Sequence, residues 1–303
     1  MAKDNKTVFE IFMEGVGIYL KHLTTLLKYM SFPVLGQILG LILALVLPIG
    51  FVNSFGASLV DSSNTFLIAI LLSIPGIILL TKAFWEYLVA YVSVGSMAEN
   101  TIKSGRIYDI NAHKKVATMS KRVGEFITLW IFFGIFGIIA ILPPFWLFAA
   151  IIFVYIILIF QVFTFERNST AMECFTKSTK LVKGHFLSTI GLLLFVGILT
   201  YFLLPKAAEF ILDIFQITKL FTMILDPIIA EALPIDQWNS AFAVLNMQYM
   251  ITSLYITKSI ISSIISWLVI SYTLPLRTIC WTLWYKQLSI KEIKSNSKKK
   301  KAK

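Results

Sequence analysis

The sequence predicts an all-α, polytopic integral membrane protein with six transmembrane helices and interfacial amphipathic helices, and three observations carry that prediction. Of 303 residues, 57% are hydrophobic and 14% are charged, whereas charged residues make up about a quarter of a soluble domain. Residues 126–165 contain no Asp, Glu, Lys or Arg and are divided only by Pro143-Pro144. The Lys and Arg residues, 27 in all for a net charge of +11, sit in short segments beside the apolar runs. That placement orients a chain in a bilayer and meets anionic lipid; it does not describe a nucleic-acid surface.

The uncharged stretch organises the rest. Segments 126–142 and 145–165 hold 17 and 21 residues, roughly 26 and 31 Å at about 1.5 Å per residue, the thickness of a hydrocarbon core. The two prolines between them leave room for a tight turn and nothing longer. These are spans three and four, a hairpin that enters and leaves on one side.

Taken in order, 7–30 reads as an amphipathic helix lying in the interface. Thr7 and Glu10 have capping-box spacing, and Glu10, Glu14, Lys21 and Lys28 share one face while Phe9, Phe12, Val16, Leu20 and Leu23 line the other. Span one, 32–52, carries Gly36 and Gly40 in GxxxG spacing, which permits close helix approach. A polar loop around Asp61 leads to span two, 65–82, kinked at Pro75-Gly76. Lys82 is expected to snorkel at its far interface, with Glu86 just beyond. A basic, partly helical segment with Lys103, Arg106, Lys114, Lys115, Lys121 and Arg122 precedes the hairpin.

After span four, Thr170 and Glu173 repeat the capping box, Lys177, Lys180 and Lys183 come next, and Gly184 suits a helix stop. At a constant offset of 163, Thr7, Glu10, Phe12 and His22 fall on Thr170, Glu173, Phe175 and His185. A fainter copy precedes span three as a basic helix with Gly124-Glu125-Phe126. The pattern implies three units, each an amphipathic helix plus a transmembrane hairpin. Span five is 186–204. An amphipathic segment at 205–225 is expected to lie flat on the outer surface, with Pro227 and Pro234 breaking the chain beyond it. Span six is 259–276, between Lys258 and Arg277 as anchors. Residues 1–290 thus form one six-span domain, and 291–303 a polybasic tail.

Counting Lys and Arg gives 24 on one side and three, Lys206, Lys219 and Lys258, on the other. The positive-inside rule then places both termini in the cytoplasm, in a cell (inner) membrane. Trp130, Trp281, Trp146 and Trp238 fit aromatic belts, and Trp284 and Tyr285 suit the interface.

Catalytic signatures are missing: no HExxH, GxSxG, P-loop or CxxC occurs, and no carboxylate pair falls inside a span. No catalytic residue, metal site or cofactor is expected. His22, His113 and His185 lack ligand spacing, and the sequons at Asn5 and Asn168 read as helix caps. Cys174 and Cys280 are expected to be unpaired. The candidate lipid-interacting cations are Lys177, Lys180, Lys183, Lys298, Lys299, Lys300 and Lys301. Ser259, Ser262, Ser263 and Ser266 form a polar stripe on span six, either helix-packing bonds or a solute path.

The chain resembles a bacterial family of six-span proteins related to the membrane domain of some glycerophosphodiester phosphodiesterases. The likeness lies in the amphipathic lead-in to span one, in Ser104-Gly105-Arg106, and above all in Ala171, Ser178, Leu181 and Gly184. It implies an inner-membrane protein of lipid and envelope physiology without the phosphodiesterase barrel. The expectation is a non-enzymatic protein engaging anionic membrane lipids, in envelope homeostasis or as a scaffold with a protein partner. The rival is a carrier or scramblase of lipid or apolar solute.

Overall fold

Every described element is helical, and six helices are long and apolar enough to cross a membrane: Leu23–Val52, Phe66–Ser104, Ser120–Ile141, Pro143–Phe165, Phe186–Ile214 and Ser253–Tyr272. The computed structural model describes residues 6–55, 62–107, 110–244 and 250–301, with backbone only at 53, 55, 62, 63, 65 and 294–301. Asp61 lies outside them.

Three times a short amphipathic helix leads into a long apolar one. Helix α1 (Val8–Lys21) precedes α2 (Leu23–Leu41), a π-turn at Ile42–Val46 and α3 (Leu47–Phe55); α4 (Ser62–Ser104) comes after them. Helix α5 (Ile110–Thr118) precedes α6 (Ser120–Ile141), a 3₁₀ turn at Pro143–Phe145, α7 (Trp146–Ile156) and α8 (Ile159–Phe165). Helix α9 (Ala171–Val182) precedes α10 (Phe186–Gly197), a π-turn at Ile198–Leu203 and α11 (Leu204–Ile214). The chain ends with α12 (Ile217–Ala232), α13 (Ile235–Val244), α14 (Ser253–Tyr272) and α15 (Leu274–Lys301). The repeat read at offset 163 is thus a structural one, since both capping boxes form and α2 and α10 begin at equivalent positions.

A Leu-Pro pair ends the first apolar run of each unit: Leu47-Pro48, Leu142-Pro143 and Leu204-Pro205. Proline has no N–H and crowds the carbonyl four residues back. The helix widens into a π-turn immediately before the first and third pairs. At the second it stops, with Leu142 extended at ψ 121°, which makes the hairpin.

The residues form two compact units, Met1–Val196 with Leu274–Lys303, and Gly197–Thr273. In the first, α2 packs along α4, and α15 packs against α1, α4, α8 and α9. Glycine is required where α2 and the π-turn after it meet α4: a Cβ at Gly40 would lie 2.6 Å from the Leu80 nitrogen, and one at Gly76 2.2 Å from that of Ala44. The GxxxG pair therefore serves packing inside the chain. Phe126, Trp130, Phe160 and Phe163 form an aromatic core between α6 and α8, with Trp130 and Phe160 4.6 Å apart. In the second unit, α11 and α12 both pack on α14.

Several expected boundaries move. The 7–30 helix is interrupted at His22, which adopts φ −113°, ψ 18°. The helix that carries span two continues beyond Lys82: α4 runs unbroken for 43 residues, about 65 Å, twice a hydrocarbon core. Lys82 is exposed and sits over the Phe32 ring at 5.8 Å. The 205–225 segment is two helices, because Gln216 takes a left-handed conformation at φ 56° between α11 and α12. Pro227 lies inside α12 instead of breaking it. Span six starts and stops earlier, as α14, and Arg277 belongs to the next helix and is buried. Trp281, Trp284 and Tyr285 are core residues, not belt residues. The Trp284 indole N–H donates to Thr189 Oγ1 at 3.1 Å, so its polar edge is satisfied by protein and not by an interface.

Candidate functional site

The three amphipathic helices and α15 build a polar platform, with α1 and α9 packed on α15 and α5 on α4. The starts of α1 and α9 are fixed locally. Thr7 Oγ1 accepts from the Glu10 amide at 3.2 Å and the Glu10 carboxylate from the Thr7 amide at 2.7 Å. Thr170 and Glu173 do the same at 3.3 and 2.8 Å. The two threonines of the sequons are thus helix caps. Helix α9 has a further acceptor, since Glu125 of α6 takes the Ala171 amide at 2.7 Å. Its end is set by Gly184 at φ 87°, where a side chain would be strained.

Ser178, fully buried on α9, mends a break in span four. Helix α7 stops at Ile156 and α8 begins at Ile159. Across the gap the Ser178 hydroxyl donates to the Tyr155 carbonyl at 2.8 Å and accepts from the Leu158 amide at 3.2 Å. Ala171, Ser178, Leu181 and Gly184 all have structural duties: a capped first residue, a mended break, a core contact and a left-handed stop.

The predicted cations divide. Lys177 pairs with Glu166, and Lys180 pairs with Glu292 at 2.6 Å, which holds its ammonium above the usual lysine range. Lys183 is exposed and has no carboxylate within 4 Å among the described residues. The helix continues to Lys301, but the side chains of Lys298, Lys299, Lys300 and Lys301 lie outside the described residues. The Glu86 carboxylate meets Lys114 of α5 at 2.6 Å.

Two clefts hold polar groups. One, of about 430 Å³ in the first unit, is lined by Ser96, Glu99, Arg167, Tyr285, Lys286 and Ser289 among others. Here Glu99 binds Lys286 at 3.1 Å and Lys103 at 3.0 Å, and Tyr285 donates to Glu166 at 3.0 Å. The other, of about 570 Å³ in the second unit, is lined by Glu209, Asp213, Lys219, Lys258 and Ser262 among others. Of the serine stripe only Ser262 lines it. Ser259 and Ser263 are exposed, Ser266 is half-buried, and the buried face of α14 carries Thr257, Ile261 and Ile265. Ser259 bonds back to the Tyr255 carbonyl of its own helix at 2.8 Å.

The histidines stay apart. His113 is buried, with Nδ1 2.8 Å from Ser96 Oγ. The pKa values of His22 and His185 are lowered, first by burial and second by a nearby lysine. Among the described residues no group of three or more His, Cys, Asp and Glu is placed to hold a metal. Cys174 and Cys280 are free and buried, and burial pushes both thiols up to about 12.

Arg122 was legible only as one of the basic-loop cations. It is buried at the foot of α6, donates to the carbonyls of Val116 (3.0 Å) and Phe163, and stacks over the Phe163 ring at 4.0 Å. It closes the C-terminal end of α8, where a cation meets the helix dipole. No family model matches the chain, and no curated protein or solved structure does either.

Proposed function

We propose that the protein is a non-enzymatic component of the cell (inner) membrane, with both termini cytoplasmic, that engages anionic lipid in membrane lipid or envelope homeostasis or as a membrane scaffold. The observation that carries this reading is the gathering of cation-bearing amphipathic helices α1, α5 and α9 around α15 and α4. Each cation held near an anionic surface contributes about 1 kcal/mol. The pairs Lys177–Glu166 and Lys180–Glu292 do not oppose it. Ion pairs this exposed are worth about 0–1 kcal/mol, so a lipid phosphate competes with the carboxylate on equal terms. A protein partner seated on the same face is the scaffold form of the proposal; nucleic acid is no part of it.

The test is hydrogen exchange on the full chain in nanodiscs with increasing anionic lipid. Protection of α9 and of the segment after Ile293 is expected to rise with anionic fraction and to fall with salt. Exchange that ignores both would overturn the platform reading.

A second reading, a carrier or scramblase of lipid or small apolar solute, is favoured by one observation: Ser262 opens onto the polar cleft of the second unit. Ser262→Leu should abolish lipid transfer between leaflets in proteoliposomes. Transfer at the wild-type rate by the folded variant would remove that path.

A further inference from the structure

We infer that the cleft between α4, α15 and the α8–α9 turn is a binding site for a phosphate group, and that the headgroup of an anionic phospholipid supplies it. The inference rests on the platform reading but concerns one defined pocket within it. Arg167 stands in the turn between Phe165 and Ala171 with its side chain exposed, and no carboxylate lies within 4 Å of it among the described residues. It shares the cleft with Lys286, Ser96 and Ser289. Lys286 is tethered by Glu99, but that carboxylate is already shared with Lys103. Two cations, Arg167 and Lys286, therefore line the cleft with a single carboxylate, which Lys103 also engages from outside the lining. Glu166 is accounted for separately, by Lys177 and the Tyr285 hydroxyl. A guanidinium with free donors beside an ammonium and the Ser289 hydroxyl matches the forked acceptor geometry of a phosphate.

The rest of the lining identifies the source. Phe165 and Tyr285 stack at 5.2 Å and form an aromatic wall, with the Lys286 ammonium 5.6 Å from the Phe165 ring. Ile290 and Ile293 continue the wall along the exposed side of α15. A free phosphate uses none of this apolar surface, while the glycerol and first acyl carbons of a phospholipid use all of it.

The experiment is native mass spectrometry of the full chain released from nanodiscs containing phosphatidylglycerol, comparing wild type, Arg167→Gln and Lys206→Gln. Arg167 has no ion pair to lose, so R167Q should keep the wild-type melting temperature while its one-lipid adduct falls about tenfold. K206Q, at a cation of the second unit that is part of neither the platform nor the cleft, should keep the adduct. Diacylglycerol, which lacks the phosphate, should give no adduct, and millimolar glycerol phosphate should not displace the phospholipid. An R167Q adduct at wild-type occupancy, or an equal adduct with diacylglycerol, would overturn the phosphate site. Displacement by glycerol phosphate would overturn the lipid as its source. A platform that fails instead would show as exchange insensitive to anionic lipid with the adduct still present, so the two failures are distinct.

Discussion

The most stringent test of the architecture is Ser178→Ala. The substitution removes one oxygen and leaves the α9 backbone as it is. That oxygen is the donor to the Tyr155 carbonyl and the acceptor for the Leu158 amide, at 2.8 and 3.2 Å. Both backbone groups lie in span four, where the chain leaves α7 and has not yet started α8. In lipid no water replaces the lost partner. An orphaned buried backbone group costs about 1–3 kcal/mol, so the pair gives roughly 2–5 kcal/mol. Partial pairing of the same groups in the unfolded, membrane-bound chain keeps the value below the top of that range.

At about 2–4 °C per kcal/mol for a unit of this size, Ser178→Ala should lower the melting temperature in nanodiscs by roughly 5–15 °C. Exchange of the Leu158 amide should accelerate alongside. Thr176→Ala is the matched control on the same helix: its exposed hydroxyl bonds only to Met172 one turn back at 3.1 Å, and its loss should stay within about 0.5 kcal/mol. A shift under about 1 °C, well short of that range, with unchanged Leu158 exchange would refute the claim that Ser178 holds the break together.

Three further outcomes are expected. A Cβ at Gly15 would lie 2.4 Å from Cys280 Sγ, so Gly15→Ala should destabilise by about 1–3 kcal/mol; adding Cys280→Ala should restore most of it, and simple additivity in thermal melts would contradict the contact. Because both thiols are buried and pushed up to about 12, Cys174 and Cys280 should resist maleimide at pH 8 and react together on denaturation; mass spectrometry after labelling checks this. Finally, burial lowers the pKa of His22 and His185, so below the unfolded value of about 6.5 the unfolded chain binds more protons. Stability from these groups is full above that pH and declines as pH falls toward the folded values, and the double variant H22Q/H185Q should flatten the melting temperature between pH 7.5 and 5.

What the sequence disclosed depended on the range of the forces involved. The capping boxes at Thr7 and Thr170, the hairpin at Pro143-Pro144 and the Gly184 stop are set within a few residues, and they were legible. So was the six-span character, which is a sum over composition. The full length of α4 was not legible, because the contacts of Lys82 and Glu86 beyond the apolar run are with Phe32 and Lys114 of other helices. Trp284 and Tyr285 looked interfacial for the same reason, since Thr189 and Glu166, nearly a hundred residues or more away, satisfy their polar ends. Gln216 carries no signal, being neither glycine nor asparagine at φ 56°. The cleft was invisible too, because Ser96, Arg167 and Lys286 come from three separate stretches of chain.

The repeat explains why small residues recur on the amphipathic helices. At the offset of 163, Ile11, Gly15 and Tyr19 of α1 fall on Cys174, Ser178 and Val182 of α9, and all six are buried. Helix α5 obeys the same rule, with Ala117 four residues after the buried His113. Each helix therefore lies on its neighbours through a larger residue and, one turn later, a small one that lets the backbones approach. The small position is spent differently each time. Gly15 gives room to Cys280 of α15, while Ser178 gives room to the gap between α7 and α8 and closes it with a hydroxyl. Glycine at 178 would preserve the approach and lose the mend; serine at 15 would meet the thiol. The two sites share a geometry and differ in chemistry, so smallness at this register comes from the architecture, whereas the hydroxyl at 178 answers to the broken span beneath it.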